Sequence, residues 1–198
     1  MFNGALRRMA PSAGTREVGE EAELMARIRQ RDIRAFEDLY RAYHPRLTRF
    51  LMTMTRRPPL VEEVLNDTMM VVWSRPERFN GASRLSTWIF AIAYRTALGA
   101  LRRQDQPVED KGVDQRAAGE PGPEGELGDR QVQALLLKAL NELSSNHRAV
   151  VDLTYFHGMG YREIAEIMDC PVDTVKTRMF HARRHLRRNL SGRLADWL

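Results

Sequence analysis

Six Lys/Arg and no acid stand between Lys176 and Arg188, in the run K-T-R-M-F-H-A-R-R-H-L-R-R. Guanidinium and ammonium groups at that density suit a polyanion: they neutralise phosphates and, in a groove, donate to base edges. His181 and His185 lie one helical turn apart, the spacing of the zinc ligands in H-E-x-x-H. That motif needs a glutamate after the first histidine, and Ala182 stands there. His44, His147 and His157 have no ligand-spaced neighbours and read as surface or cap residues. Cys170 is the sole cysteine, which excludes an internal disulfide and a cysteine-rich metal site. There is no glycine-rich phosphate loop and no serine-centred nucleophile elbow. These residues are therefore expected to bind rather than catalyse, with no enzyme activity, cofactor or metal.

A basic run reads nucleic acid only when a rigid element presents it. Tyr161 to Met168 carries Ile164, Ala165 and Met168 at helical spacing, and Asp169-Cys170-Pro171 breaks that helix, since proline lacks an N–H and pushes its neighbour out of the α region. A second helix opens near Val172, with Pro171 by its first position and Asp173 in the first turn, where the helix dipole favours an acid. Val175, Met179, Ala182 and Leu186 form its apolar stripe. Lys176, Thr177, Arg178, Phe180, His181, Arg183, Arg184, Arg187 and Arg188 occupy its other faces. A short helix, a tight turn and a basic helix make a helix-turn-helix, whose second helix enters the major groove. The alternative, a solvated charged helix closing a bundle, does not account for charge of one sign only.

The rest of the chain supplies further helices. At 198 residues, 43% hydrophobic and 29% charged, with a net charge of +5, it suits one or two small globular domains with a mild preference for a polyanion. No apolar run approaches a membrane span, and the N-terminus has no apolar signal-peptide core, so a cytoplasmic location is expected. Residues 1–18 read as a disordered lead. Helices are expected from Glu20 to Gln30, then from an Asp32 cap through Tyr43 and Phe50, with a kink or break near His44 because of Pro45. The next helix, Leu60 to Ser74, turns Val61, Val64, Leu65, Thr68, Met69, Val72 and Trp73 inward. Glu62, Glu63, Asn66 and Asp67 share its outer side with Met70, and Val71 lies at the edge. An apolar residue among acids on an exposed face fits a protein partner as well as it fits a lone surface methionine. After an irregular R-P-E-R-F-N-G-A-S-R, Ser86 or Thr87 is expected to cap a helix from Trp88 to Arg103. Trp88, Tyr94, Arg95, Arg102 and Arg103 there offer rings and cations, as single-stranded nucleic acid requires, although aromatics at such spacing are more often core.

Residues 104–128 hold seven acids against two bases and almost no apolar side chains, and read as a flexible acidic linker. They divide residues 19–103 from 129–198. The second domain begins with a helix over Asp129–Asn141. A second, capped by Ser144, is expected to run to about His157 with Val150, Val151, Leu153, Tyr155 and Phe156 inward. Gly158 and Gly160 lead into the helix-turn-helix. The fold class is thus all-α, two small helical domains on a linker.

E-I-A-E-I-M-D-C-P-V-D-T-V-K-T-R-M-F-H-A-R closely resembles the −35-reading segment of extracytoplasmic-function (ECF) sigma factors of the sigma-70 family. V-E-E-V-L-N-D-T-M-M-V-V-W resembles the family's RNA-polymerase-binding helix, and R-F-N-G-A-S-R-L-S-T-W-I-F-A-I-A-Y-R its −10 segment. The resemblance runs from about Glu20 to Leu190. It implies sigma region 2 over 19–103 and region 4 over 129–198. It also implies core RNA polymerase, through its clamp helices and flap, and promoter DNA as partners, with an anti-sigma factor as regulator; a monomer is the default expectation. Core-polymerase contacts would fall on Glu63, Asn66, Asp67, Met70 and Val71. The −10 contacts would fall on Phe79, Asn80, Gly81, Ala82, Ser83, Arg84, Trp88 and Arg95, the loop receiving a flipped base. The −35 contacts would fall on Thr174, Lys176, Thr177, Arg178, Phe180, His181, Arg183 and Arg184. The chain departs from the family with Asn66-Asp67 for the usual Gln-Glu, Asn80 where arginine is frequent, and His181 where an arginine often contacts DNA. The competing class is a helix-turn-helix regulator that acts without polymerase; a response regulator would need strands and a phosphoacceptor aspartate in the N-terminal half, which shows no convincing strand.

Overall fold

The computed structural model describes residues 13–104 and 138–189, and every regular element among them is a helix. The N-terminal unit holds α1 (Ala13–Arg29), α2 (Ile33–Thr55), α3 (Pro58–Ser74), a 3-10 turn at Pro76–Arg78 and α4 (Leu85–Gln104). The C-terminal unit holds a helical stretch at 138–141, then α5 (Ser145–Tyr155), α6 (Tyr161–Met168) and α7 (Val172–Asn189). The expected all-helical class is found. Residues 1–12 of the expected lead, nearly all of the expected linker and most of the expected 129–141 helix lie outside the described residues.

Caps set most of the boundaries. Asp32 opens α2 by accepting from the amides of Arg34 at 3.0 Å and Ala35 at 3.3 Å, and its carboxylate pairs with Arg27 at 2.8 Å. The hydrogen bond from Arg27, with those amides, holds the Asp32 carboxyl below its ordinary value. Of the kink or break expected near His44, a break does not occur. α2 runs unbroken through Pro45, whose ring sits on the exposed side, while buried Tyr43, Leu47, Phe50 and Leu51 tie both halves to the core. One missing N–H weakens a ladder but does not outweigh that packing. Arg56 ends α2 in the left-handed region at φ 57°.

Two starts differ from the sequence reading. α1 begins at Ala13, ahead of Glu20, because no proline interrupts the stretch before Met25 and Ile28, which are fully buried. α4 begins at Leu85, not Trp88, so Ser86 and Thr87 lie in its first turn and do not cap it. The capping acceptor comes from α1: Glu21 Oε2 takes the Leu85 N–H at 3.0 Å.

In the C-terminal unit Ser144 caps α5, accepting from the His147 amide at 3.4 Å. Asp169, left-handed at φ 49°, stops α6. The whole predicted stripe of α7 is buried: Val175 and Ala182 at 0%, Met179 and Leu186 at 2%. Tyr155 and Phe156, expected inward, are exposed because they lie beyond the packed turns of α5. Arg183 donates to the Tyr155 hydroxyl from Nε at 3.1 Å and Nη2 at 2.9 Å. The Arg49 guanidinium lies 3.5 Å from the Phe156 ring centre.

The two units pack together, α5 against α2 and α6 against α4. Arg148 of α5 donates to carbonyls of the last turn of α2, Thr53 O at 2.8 Å and Met54 O at 3.2 Å, and to Leu143 O. Burial lowers its guanidinium to about 10, so it remains charged at neutral pH, and these carbonyls offset the lost hydration. Tyr94 donates to Asn146 Oδ1 at 2.8 Å. Buried Asp152 receives Thr53 Oγ1 at 3.3 Å and lies 3.7 Å from Arg49 Nε. His157 is not the surface or cap residue expected. Its side chain is 4% exposed, 3.1 Å from Asp152 Oδ2, with ring centres of Phe90 and Phe50 at 4.7 and 6.3 Å.

Candidate nucleic-acid interface

Three surfaces gather the predicted residues. The first is the outer face of α3. Glu62, Glu63, Asn66 and Asp67 are exposed, Val71 is half-buried, and Met70 is 62% exposed. The opposite stripe, from Val61 to Val72, is buried. Period 3.6 produces both faces at once, so the acids and Met70 form a continuous outer strip. Glu63 meets Arg103 of α4 at 3.4 Å, an exposed pair that contributes little to stability.

The second surface is the connection from α3 to α4. Asn80 Oδ1 accepts the Ala82 N–H at 2.9 Å, and Gly81 takes φ 74°, a conformation that side chains with a Cβ rarely adopt. The turn is therefore preformed, with Asn80, Gly81 and Ala82 exposed and Ser83 half-buried. Phe79 is 5% exposed and packs against Trp88 at 5.5 Å, so its ring is the floor of the loop, not part of its open surface. Trp88 is half-buried and Arg95 exposed. Tyr94, grouped with them by the sequence reading, lies instead under Asn146 with burial raising its hydroxyl pKa. Arg84 Nε reaches Glu163 of α6 at 3.9 Å, and Thr87 donates to the same carboxylate at 3.4 Å.

The third surface is α7. Lys176 is exposed and pairs with Asp173 at 2.9 Å. Thr177 donates to the Asp173 carbonyl at 2.8 Å. Arg178 is half-buried, its Nη1 3.6 Å from Cys170 Sγ and 3.8 Å from Met168 Sδ. Phe180 is 62% exposed, and its ring centre lies 5.6 Å from that of exposed His181. Arg184 is exposed and Arg183 half-buried against Tyr155. Thr174 is half-buried and, with Thr177, Arg178 and His181, lines a groove closed on its other side by Ser144, Asn146 and His147.

The sequence reading missed His147. Its ring centre is 6.2 Å from that of His181. Burial, then the charges of His181, Arg178 and His185, lower its pKa. Only tertiary packing brings residues 147 and 181 together, so no local pattern could reveal it. Arg29 was missed for the same reason: its Nη2 donates to Phe79 O at 2.5 Å across fifty positions of sequence. Among the described residues no cluster of His, Cys, Asp and Glu could hold a metal ion, and no helix is long and apolar enough to cross a membrane.

Comparison with known proteins matches these surfaces to two family models. Residues 39–106 match sigma-70 region 2, and residues 133–186 match sigma-70 region 4. The ECF RNA polymerase sigma factor RpoE of Cereibacter sphaeroides is 31% identical, over 85% of this chain and 93% of that protein. The ECF RNA polymerase sigma-E factor of Haemophilus influenzae is 29% identical, over 81% and 89%. Among solved structures, the sigma factor RpoE of Bartonella quintana, in complex with the anti-sigma factor NepR, superposes with a TM-score of 0.63 at 27% identity, covering 80% of this chain and 98% of that one. CnrH, in complex with the cytosolic domain of CnrY, shares the fold with a TM-score of 0.61 at 21% identity, covering 84% and 94%.

Proposed function

The chain belongs to the extracytoplasmic-function group of the sigma-70 family of RNA polymerase sigma factors, and from that premise we propose how its three surfaces divide promoter recognition. The acid-and-methionine strip of α3 (Glu63, Asn66, Asp67, Met70, Val71) docks on core polymerase. The loop from Asn80 to Arg84, floored by Phe79 and flanked by Trp88 and Arg95, takes an unstacked base of the −10 element and so offsets the few kcal/mol that unpairing costs. α7 enters the major groove of the −35 element: Thr174, Lys176, Thr177, Phe180 and His181 lie towards the bases, and Arg183 and Arg184 towards phosphates. Arg178 must leave its sulfur contacts to join the readers. Counterion release by the basic side chains supplies most of the affinity.

One observation carries this reading: α7 buries its entire apolar stripe and leaves Lys176, Phe180, His181 and Arg184 exposed along one basic helix. A helix-turn-helix regulator acting without polymerase has no use for the region 2 unit, and that reading is set aside.

The −35 and −10 elements lie roughly 85 Å apart along duplex, at about 3.4 Å per base pair. Arg84 and Glu163, 3.9 Å apart here, belong to the two domains that would read those two elements. The domains therefore separate before both elements are read, releasing Arg148 from the end of α2. An anti-sigma factor is the regulator proposed for this step, by analogy with the Bartonella quintana complex. Its work on polymerase and chromosomal DNA places the protein in the cytoplasm, and it acts as an initiation factor, not a catalyst. The test is reconstitution. Core polymerase with the protein should form a heparin-resistant complex on a promoter fragment with permanganate-reactive thymines near −10. Stable binding to the fragment by the protein alone, with no added effect of core polymerase, would favour the regulator instead.

A further inference from the structure

α1 and the turn that follows it bond three separate backbone groups at the start, middle and end of the passage from α3 to α4. Arg31 Nη1 donates to Trp73 O, in the last turn of α3, at 2.6 Å, and its guanidinium lies 5.3 Å from the Trp73 ring centre. Arg29 Nη2 donates to Phe79 O, where the loop begins, at 2.5 Å. Glu21 accepts from Leu85 N, where the loop ends, at 3.0 Å. Entry, floor and exit of the loop are thus each held by a charged side chain from α1 or the turn after it.

We propose that this turn is a brace that presets the −10 loop, with Arg29 and Arg31 as positioning residues for base capture; the proposal rests on the −10 reading above. Three observations support it. First, the loop has little internal scaffolding. Its own connections are the bonds of the 3-10 turn, Arg78 N to Arg75 O and Phe79 N to Pro76 O, and the Asn80 side-chain turn. Phe79 seats the start of the loop on Trp88, and outside anchors fix the backbone on either side of that ring. Second, Arg31 sits at φ 64°, in the left-handed region that glycine takes more readily. The backbone there closes a Schellman stop to α1, with Asp32 N donating to Arg27 O at 3.1 Å and Arg31 N to Ile28 O at 2.9 Å, a post that glycine fills at least as well; what the arginine adds is its side chain, which bonds and stacks on Trp73. Third, both arginines spend a guanidinium donor on a carbonyl of the protein. Arg29 acts through the loop's backbone and Arg31 through the end of α3 from which the loop departs, so both shape capture without contacting a base.

The strained position supplies a clean variant. Arg31→Gly removes the side chain while easing the backbone, so loss of the fold is not its expected effect. Arg29→Ala removes the anchor at Phe79, and Arg29→Lys retains one donor. The measurement uses the full chain assembled with core polymerase. The probe is a fluorescent single strand carrying the −10 sequence identified by transcript mapping. Affinity for core polymerase is read in parallel, since it depends on α3 of the same domain. Arg31→Gly and Arg29→Ala are expected to weaken strand capture by roughly 10-fold or more, the scale on which small misplacement of a site acts. Core affinity should stay unchanged, and Arg29→Lys should recover most of the loss. Equal loss of core affinity and strand capture would make these residues mere supports of the fold and overturn the proposal. Normal capture by both variants, with capture lost in an Asn80→Ala/Gly81→Val double variant that deforms the loop itself, would overturn the brace and leave the loop reading intact. If the double variant also captures the strand normally, the loop reading falls and the brace with it.

Discussion

Met70→Ala isolates the proposed polymerase contact. Met70 is 62% exposed and lies opposite the buried stripe of α3. Its truncation leaves no cavity, and alanine is at least as good a helix former as methionine, so the domain should keep its stability. Full burial of a methionine side chain contributes about 1.5–3 kcal/mol. Docking covers only the part now exposed, which scales the loss to about 1–2 kcal/mol. At about 1.4 kcal/mol per tenfold, core polymerase should bind roughly 5- to 30-fold more weakly. The assay is competition of labelled protein for core polymerase, with a thermal melt of the free protein as the check on folding. Adding Asp67→Arg should deepen the loss and change its salt dependence, because that acid shares the strip. An unchanged dissociation constant for the folded single variant, together with unchanged salt dependence for the double, would refute the assignment of this face.

Arg178→Ala should erase discrimination between matched and mismatched −35 duplexes by about 1–3 kcal/mol if Arg178 reads a base with both arms of its fork. Arg187→Ala should weaken both duplexes alike and make the salt slope shallower by about one counterion; equal losses for Arg178→Ala would show a phosphate anchor. Arg148→Met should open the closed form, since it removes the donors to Thr53 O and Met54 O; small-angle scattering of the full chain should show a larger radius of gyration, and an unchanged radius would remove Arg148 as the latch. His147 is held below its ordinary value of 6.5. The folded protein therefore keeps it neutral where the unfolded chain takes a proton, and its contribution to stability is complete above that pH and lost as pH falls below it. Thermal midpoints should fall in that range for the wild type more than for His147→Gln, and parallel curves would assign the pH dependence elsewhere.

The helix-turn-helix was legible because its signals are local. Pro171 and Asp169 set the break, and a period of 3.6 drew the stripe Val175, Met179, Ala182 and Leu186, all of it buried. The outer strip of α3 was legible for the same reason. What escaped depends on partners distant in sequence. Glu21 caps a helix that begins 64 residues later, so the start of α4 could not be placed from Ser86 or Thr87. His157 resembles a loop histidine until Asp152, Phe50 and Phe90 enclose it. Pro45 marks a break by local rules, and packing on both sides overrides it. Phe79 belongs to an exposed-looking motif, yet packing against Trp88 makes it a floor. The loop from Asn80 to Arg84 was thus readable as a segment, while the bonds that Arg29 and Arg31 make beside it were not.

On the division of labour proposed above, one chain directs polymerase to promoters through two DNA elements, each read by one domain. Mapping transcript 5′ ends made from genomic DNA by core polymerase, with and without the protein, tests it most directly. Protein-dependent start sites should share two sequence blocks, one near −10 and one near −35, with the −35 block lost in an Arg178→Ala, Lys176→Ala variant and the −10 block retained. Start sites that are the same with and without the folded protein, or that share no paired blocks, would contradict it.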